Sequence, residues 1–312
     1  MAGDARVLPL APARRGAAAR RFLVRNPTLG AGALCLLLMA AGAVGAGLLG
    51  TRDPQAMRPV TRLRTPSAEH WFGTDHYGRD VYSRTLYGGR ISLVVGSAVA
   101  VISLTLGTGI GLVSGYFRRL DAVVMRIMDG VMAIPGILLA LALMALVRAS
   151  LQSVIVALVI PEIPRTVRLV RASVLSLREL VMVEGARAVG AGTPRILLRY
   201  ILPALVAPLI VQGTYICASA ILVEAYLSFL GVGTPPHIPS WGNIMAEGRA
   251  YVQLAFWIIL FPGLFLAVTV LAINMIPSTS TPRRRGSRAI RRTSTGSASS
   301  PRAPMGPRSA CR

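Results

Sequence analysis

Lysine is absent from this 312-residue sequence; all 34 basic residues are arginine, a pattern of codon preference rather than of mechanism. Without lysine there is no Gly-x-x-x-x-Gly-Lys-[Ser/Thr] phosphate loop, so ATP hydrolysis by that device is excluded. Histidine occurs only at His70, His76 and His237, and neither a His-Glu-x-x-His helix nor a Gly-x-Ser-x-Gly elbow is present, which removes the two plainest intramembrane-hydrolase readings. The three cysteines, Cys35, Cys217 and Cys311, have no metal spacing and form no disulfide framework. Two of them lie in apolar runs, where they read as small apolar side chains. Acidic residues number 12, and charged residues of both signs make up 15% of the chain, too few to coat a soluble domain of this length.

What the chain has instead is hydrophobic length. Apolar residues make up 53% and the mean hydropathy is +0.59. A net charge of +22 usually suggests a nucleic-acid partner. Here the arginines stand between apolar runs and at both ends, so membrane lipid is the expected partner and nucleic acid is not. Crossing a bilayer takes about 20 apolar residues of helix. Six runs meet or approach this: Thr28–Gly50, Ile91–Tyr116, about Ile127–Val147, Leu151–Val170, Ile201–Leu230 and about Leu254–Ile276. The fourth is interrupted by Pro161, Glu162, Pro164, Arg165 and Arg168. The first is too long for the core of a signal peptide and lacks a small-x-small cleavage site. The expected fold is an all-α polytopic bundle, with Gly96, Gly107, Gly109, Gly111 and Gly115 in the second run allowing close helix approach.

Arginine asymmetry sets the orientation. With both termini cytoplasmic, 25 arginines fall inside and nine outside. Seven of the nine lie in the first outer loop, where Asp53, Glu69, Asp75 and Asp80 offset them in part. The expected organisation is a cytoplasmic tail (1–27), a first span (28–50), an extracytoplasmic loop (51–90) and a core of five more spans (91–276) carrying a cytoplasmic hairpin (171–200). A disordered Arg/Ser/Pro-rich tail (277–312) follows.

Each loop has its own character. In "HWFGTDHYGRDVYSRTLYGGRISL", Trp71, Tyr77, Tyr82 and Tyr87 suit the headgroup level. His70, Asp75, His76 and Asp80 invite a metal hypothesis, but turn-forming and capping roles for Asp and Gly explain them better, and no metal or cofactor is expected. The inner segment "VRASVLSLRELVMVEGARAVGAGTPRILLR" spaces Val174, Leu177, Val181 and Val189 at roughly helical intervals before Gly190, Gly192 and Pro194 break the pattern. It predicts two short helices around a Gly turn: a small lever joined directly to the fifth span.

In this hairpin Glu184-Gly185-Ala186 is followed by three residues, Gly190, nine residues and then Tyr200-Ile201-Leu202-Pro203. That spacing resembles the cytoplasmic loop of permease subunits of binding-protein-dependent ABC importers, Glu-Ala-Ala-x3-Gly-x9-Ile-x-Leu-Pro, with Gly185 in place of the middle Ala and Tyr200 in place of the Ile. "FGTDHYGRDVYSRTLYGGRISL", "MRIMDGVMAIPGILLAL", "RLVRASVLSLRE" and "AILVEAYLSFLGVGTPPHIPSWGNIMAEGR" are similar to the dipeptide and oligopeptide C-type branch, and the likeness covers about residues 20–275. The resemblance implies a type I importer permease fold in the bacterial inner membrane, with a second permease, two cytoplasmic ATPase subunits and an extracytoplasmic solute-binding protein as partners. It implies that ATP is hydrolysed on the partner and that this chain is not an enzyme. Carried over residue by residue, it assigns ATPase coupling to Glu184, Gly185, Ala186, Gly190, Leu202 and Pro203. It implies peptides as cargo, with nickel complexes or glutathione as alternatives within the class. An ion-coupled secondary transporter using Asp129, Glu162 and Glu224 is the rival, against local pairing of Asp129 and Glu224 near span ends. Two departures stand out: the tail replaces the family's usual Gly-Asp-Gly-Leu-Arg-Asp ending, which suggests an altered reading frame or a diverged tail, and Glu162 sits inside the fourth span.

Overall fold

A computed structural model describes residues 27–276. Both expected tails, with Cys311, lie outside the described residues. These residues are mostly helical and, among them, the only extended pairing is an isolated bridge between Thr74 and Asp80. Helix α1 spans Pro27–Val44, and α2 spans Val81–Tyr116 over 36 residues. The pair α3 (Arg118–Met132) and α4 (Gly136–Leu146) follows, then α5 (Leu151–Leu177). Two short helices, α6 (Val181–Ala188) and α7 (Thr193–Ile196), lead through a π-helical turn at Leu197–Ile201 into α8 (Leu202–Phe229). Helices α9 (Trp241–Gly248) and α10 (Trp257–Met275) complete the described chain.

The centre is the seam between α2 and α5, and its cause is legible in the glycine spacing. A Cβ placed on Gly107, Gly111 or Gly115 would stand 2.5, 2.7 or 2.8 Å from the Cβ of Thr166, Val170 or Val174. Both sides repeat every four residues, so each glycine is a groove for one β-branched side chain, and the backbones close to a distance that larger residues forbid. Gly96 does the same for Ile221 of α8 (2.6 Å). Val95, Val99, Val154, Leu158, Ile216 and Leu227 bury themselves around this contact.

Three expectations about the spans need correction. Helix α2 starts at Val81 rather than near residue 91, because Asp80 caps it, accepting the Ser83 amide at 2.9 Å. The third run is no straight span: α3 and α4 are bent by 82° at the Ala133–Pro135 break, since Pro135 disfavours helical geometry in the residue before it. Helix α4 alone, with 11 residues, is about 16 Å long, half a bilayer core. Conversely, Pro161 and Pro164 do not interrupt α5, which runs on to Leu177; packing along the seam with α2 compensates for the missing amide bonds. Among the described residues four helices are long and apolar enough to cross a membrane, or five if the bent pair counts as one span. Helix α5, at 27 residues, has the length for a sixth but carries Glu162, Arg165, Arg168 and Arg171.

Candidate functional site

The hairpin formed by α6 and α7 is built as a closed clasp. Helix α6 ends where Gly190 turns to φ +84°, a left-handed conformation that glycine adopts at least cost. Its amide meets the Arg187 carbonyl at 2.9 Å, and the Ala191 amide reaches the Ala186 carbonyl at 3.0 Å, the paired bonds of a Schellman ending. Val183 and Ile196, one from each short helix, are buried with Leu112 of α2, Val170 and Val174 of α5, and Leu205 of α8. Arg187 stacks over the Tyr116 ring at 5.3 Å, and Arg178 donates to the Gly115 carbonyl at 3.1 Å. The hairpin is thus rooted in three long helices.

Its outer face is the opposite in character. Val181 and Val189 are 83% and 90% exposed, and Met182 is exposed beside them. Gly185, Ala186, Gly190, Arg195 and Tyr200 line a concavity of about 330 Å³. Glu184 is exposed and forms no ion pair among the described residues. Gly185 has nothing within 4 Å of the place a Cβ would occupy, so no contact within this chain demands a glycine there. The structure brings Glu184, Gly185, Ala186 and Gly190 together on this hairpin. Leu202 and Pro203 stand apart from it at the start of α8, beyond the π-helical turn in which the Leu202 amide reaches back to the Leu197 carbonyl. Proline at 203 lacks the amide that a regular α-helical ladder needs there, which fits the slip into the wider turn.

The other acids are mostly satisfied locally. Asp129 pairs with Arg168 at 2.5 Å, and Asp121 pairs with Arg171; both tie α3 to α5. Glu224 is fully buried and surrounded by hydroxyls, with Ser228 at 2.8 Å, Ser92 at 3.3 Å and Thr234 at 3.5 Å. Glu162 lines a cavity with Arg165, described below.

The segment between α1 and α2, where His70, Asp75, His76 and Asp80 invited a metal hypothesis, carries an ionic lattice. Asp75 accepts from the Arg79 Nε and Arg84 Nη1 at 2.6 Å each and from the amides of Tyr77 and Arg79. Glu247 of α9 takes the other side of Arg84 and also pairs with Arg79. Asp75, His76 and Glu247 lie close enough together to hold an ion, yet their carboxylates already face two guanidiniums that a cation would have to displace. Burial lowers the His76 pKa, against the opposing pull of Asp75 and Glu247. Asp80 binds His70 Nδ1 at 2.9 Å while capping α2. The Arg79–Glu247 and Arg84–Glu247 pairs lay beyond sequence reasoning, because Glu247 is more than 160 residues away and its segment carries no charge pattern pointing back.

The profile of the family described as "Binding-protein-dependent transport system inner membrane component" matches residues 107–283. The dipeptide transport system permease protein DppC of Alkalihalophilus pseudofirmus is 43% identical over 235 residues, covering 75% of this chain and 77% of that protein. The glutathione transport system permease protein GsiD of Pectobacterium atrosepticum is 40% identical over 259 residues, covering 82% and 86%. The di/tripeptide permease DppC of Pseudomonas aeruginosa is 38% identical over 252 residues, covering 78% and 83%. Among solved structures, the inward-facing methionine ABC transporter MetNI gives a TM-score of 0.42 at 20% identity, covering 61% of this chain and 95% of that one. The profile match and these long alignments agree with the spacing of the inner hairpin: the chain belongs to the inner-membrane components of binding-protein-dependent transport systems, a family of membrane permeases rather than enzymes.

Proposed function

We propose that this chain is the permease subunit of an ATP-driven importer that moves short peptides across a bacterial inner membrane. The cargo follows from the relatives, whose names specify dipeptides, di- and tripeptides, and glutathione. The observation that carries the mechanism is the unoccupied notch at Gly185 beside the unpaired Glu184, on a hairpin whose other face is locked into α2, α5 and α8. A surface of that kind suits a rigid partner that presses in and pulls away. In this reading the partner is a cytoplasmic ATPase, present as two copies beneath this chain and a second permease, with a solute-binding protein delivering cargo from outside. Glu184 meets a basic group or helix N-terminus of the ATPase. Ala186 and Gly190 allow close approach, and Leu202 and Pro203 pass the movement into α8 beyond the π-helical turn.

Six spans with both termini inside complete the proposal, α5 being the sixth. Two of the dissenting outer arginines, Arg79 and Arg84, are neutralised by Asp75 and Glu247, which weakens their vote against that orientation. The test is ATP-driven uptake by the assembled system. Glu184→Lys is expected to abolish uptake while the chain still inserts, and a photo-crosslinker at position 184 is expected to capture the ATPase. Capture of no nucleotide-hydrolysing subunit, or uptake driven by a proton gradient without one, overturns the reading.

A further inference from the structure

Glu162 is a buried acid that the coupling reading leaves unused. It projects from the middle of α5, and the whole residue is 8% exposed. Its Oε1 accepts from Arg165 Nη1 at 3.0 Å. Its Oε2 is shielded and makes no hydrogen bond of good geometry, although the Ser219 hydroxyl of α8 stands beside it. A buried carboxylate oxygen with no donor costs more than a hydrogen bond normally returns, so such a group persists where something else compensates for it.

The surroundings suggest what that is. Glu162 and Arg165 both line a cavity of about 390 Å³, whose other walls include Pro135 at the α3–α4 break, Pro161, Tyr215 and Ser219. The cavity therefore lies beside the middle of α8, between the bent pair and the proline-bearing stretch of α5. Its volume falls within the range of sites for small organic ligands. It offers one acid and one base three residues apart, an aromatic ring and a hydroxyl, in otherwise apolar walls.

We propose that this cavity is a subsite on the transport route for a short peptide in its zwitterionic form. The terminal ammonium binds the Glu162 carboxylate beside Ser219, and the terminal carboxylate engages Arg165, which is 43% exposed at its side chain and pairs with Glu162. The Glu162–Arg165 pair then serves as a stand-in, each charge neutralising the other until cargo replaces it. This rests on the peptide-import reading and adds to it the groups that read the two ends of the cargo.

The test uses the whole transporter, reconstituted in nanodiscs without its solute-binding protein so that the membrane site is read alone. The probes are radiolabelled Ala-Ala, N-acetyl-Ala-Ala and Ala-Ala amide. The wild type is expected to bind Ala-Ala about tenfold or more tightly than either blocked form, the loss expected for one charge-assisted contact. Glu162→Gln is expected to erase the preference over the acetylated form, and Arg165→Gln the preference over the amide. Equal binding of all three probes by the wild type overturns the subsite, whatever the variants do. So does a Glu162→Gln transporter that keeps both preferences. Uptake of Ala-Ala by the complete system separates the two ideas. If the wild type imports Ala-Ala with ATP but its membrane complex does not discriminate, the importer stands and the subsite falls; if it imports no Ala-Ala, both fall.

Discussion

Arg84, in the first turn of α2, holds Glu247 of α9 in a two-pronged grip, Nη1 at 2.6 Å and Nη2 at 3.1 Å. The same Nη1 also serves Asp75 at 2.6 Å. One fully buried guanidinium thus ties the outer loop, the second helix and the last outer helix together. Removing it leaves two carboxylates to share Arg79 alone. Arg84→Met is expected to destabilise the chain by about 3–5 kcal/mol, the usual cost of breaking a buried pair from one side. Arg84→Lys, which keeps the charge but loses the fork, should fall between. Thermal unfolding of the detergent-solubilised protein measures both; an unchanged melting temperature for Arg84→Met would remove the lattice as a stabilising element.

The glycine seam makes a sharper claim because it contains its own control. A Cβ at Gly111 would lie 2.7 Å from the Val170 Cβ, whereas Gly109 has nothing within 4 Å. Gly111→Val is therefore expected to force α2 and α5 apart at about 1–3 kcal/mol or more. Gly109→Ala should be neutral or slightly stabilising, since alanine favours helix over glycine. Equal melting temperatures for the two variants would show that the close approach is not what holds these helices.

On the hairpin, two glycines are expected to fail for different reasons. Gly190 sits at φ +84° with open space around it, so Gly190→Ala meets backbone strain of about 1–2 kcal/mol and no clash. Gly185→Leu meets neither strain nor clash within this chain. It should fold with wild-type stability yet lose ATP-driven uptake, by filling the notch the proposed ATPase needs. Stability assays alongside uptake tell the two apart, and a fully active Gly185→Leu would remove the notch from the mechanism.

The outer loop should also respond to acid. Burial holds the His76 pKa below its ordinary value near 6.5, so below that pH the unfolded chain takes up a proton that the folded chain resists. Stability contributed by neutral His76 is present above about pH 6.5 and declines as the pH falls through the window below it. His76→Gln is expected to flatten that part of the profile. Melting temperature between about pH 7 and pH 5 provides the measurement, and parallel profiles for variant and wild type would assign the sensitivity elsewhere.

Much of this was readable from local pattern, and the failures share a cause. The hairpin was legible because Gly190 and the Glu184-Gly185-Ala186 step encode a turn within a few residues. The seam was legible in part: the second run is rich in glycine, but Gly109 stands out there as much as Gly107, Gly111 and Gly115 and meets nothing across the helix pair. Proline misled twice in opposite directions. Pro135 breaks a run that hydropathy joins, since composition carries no angle, while Pro161 and Pro164 leave α5 whole, since its support comes from α2, about 60 residues earlier in the chain. The unpaired oxygen of Glu162 depends on where Ser219 and Tyr215 land. No spacing in the sequence reports that.

The 82° bend between α3 and α4 bears on how this protein survives before assembly. Where a helix stops, its last carbonyls and the first amides of the next are left without partners along the chain. Here they border a cavity that this chain alone does not close. Hydrocarbon cannot satisfy such groups; water or a neighbouring protein can. A copy by itself in the bilayer would therefore keep a polar break that only water or a covering protein could satisfy.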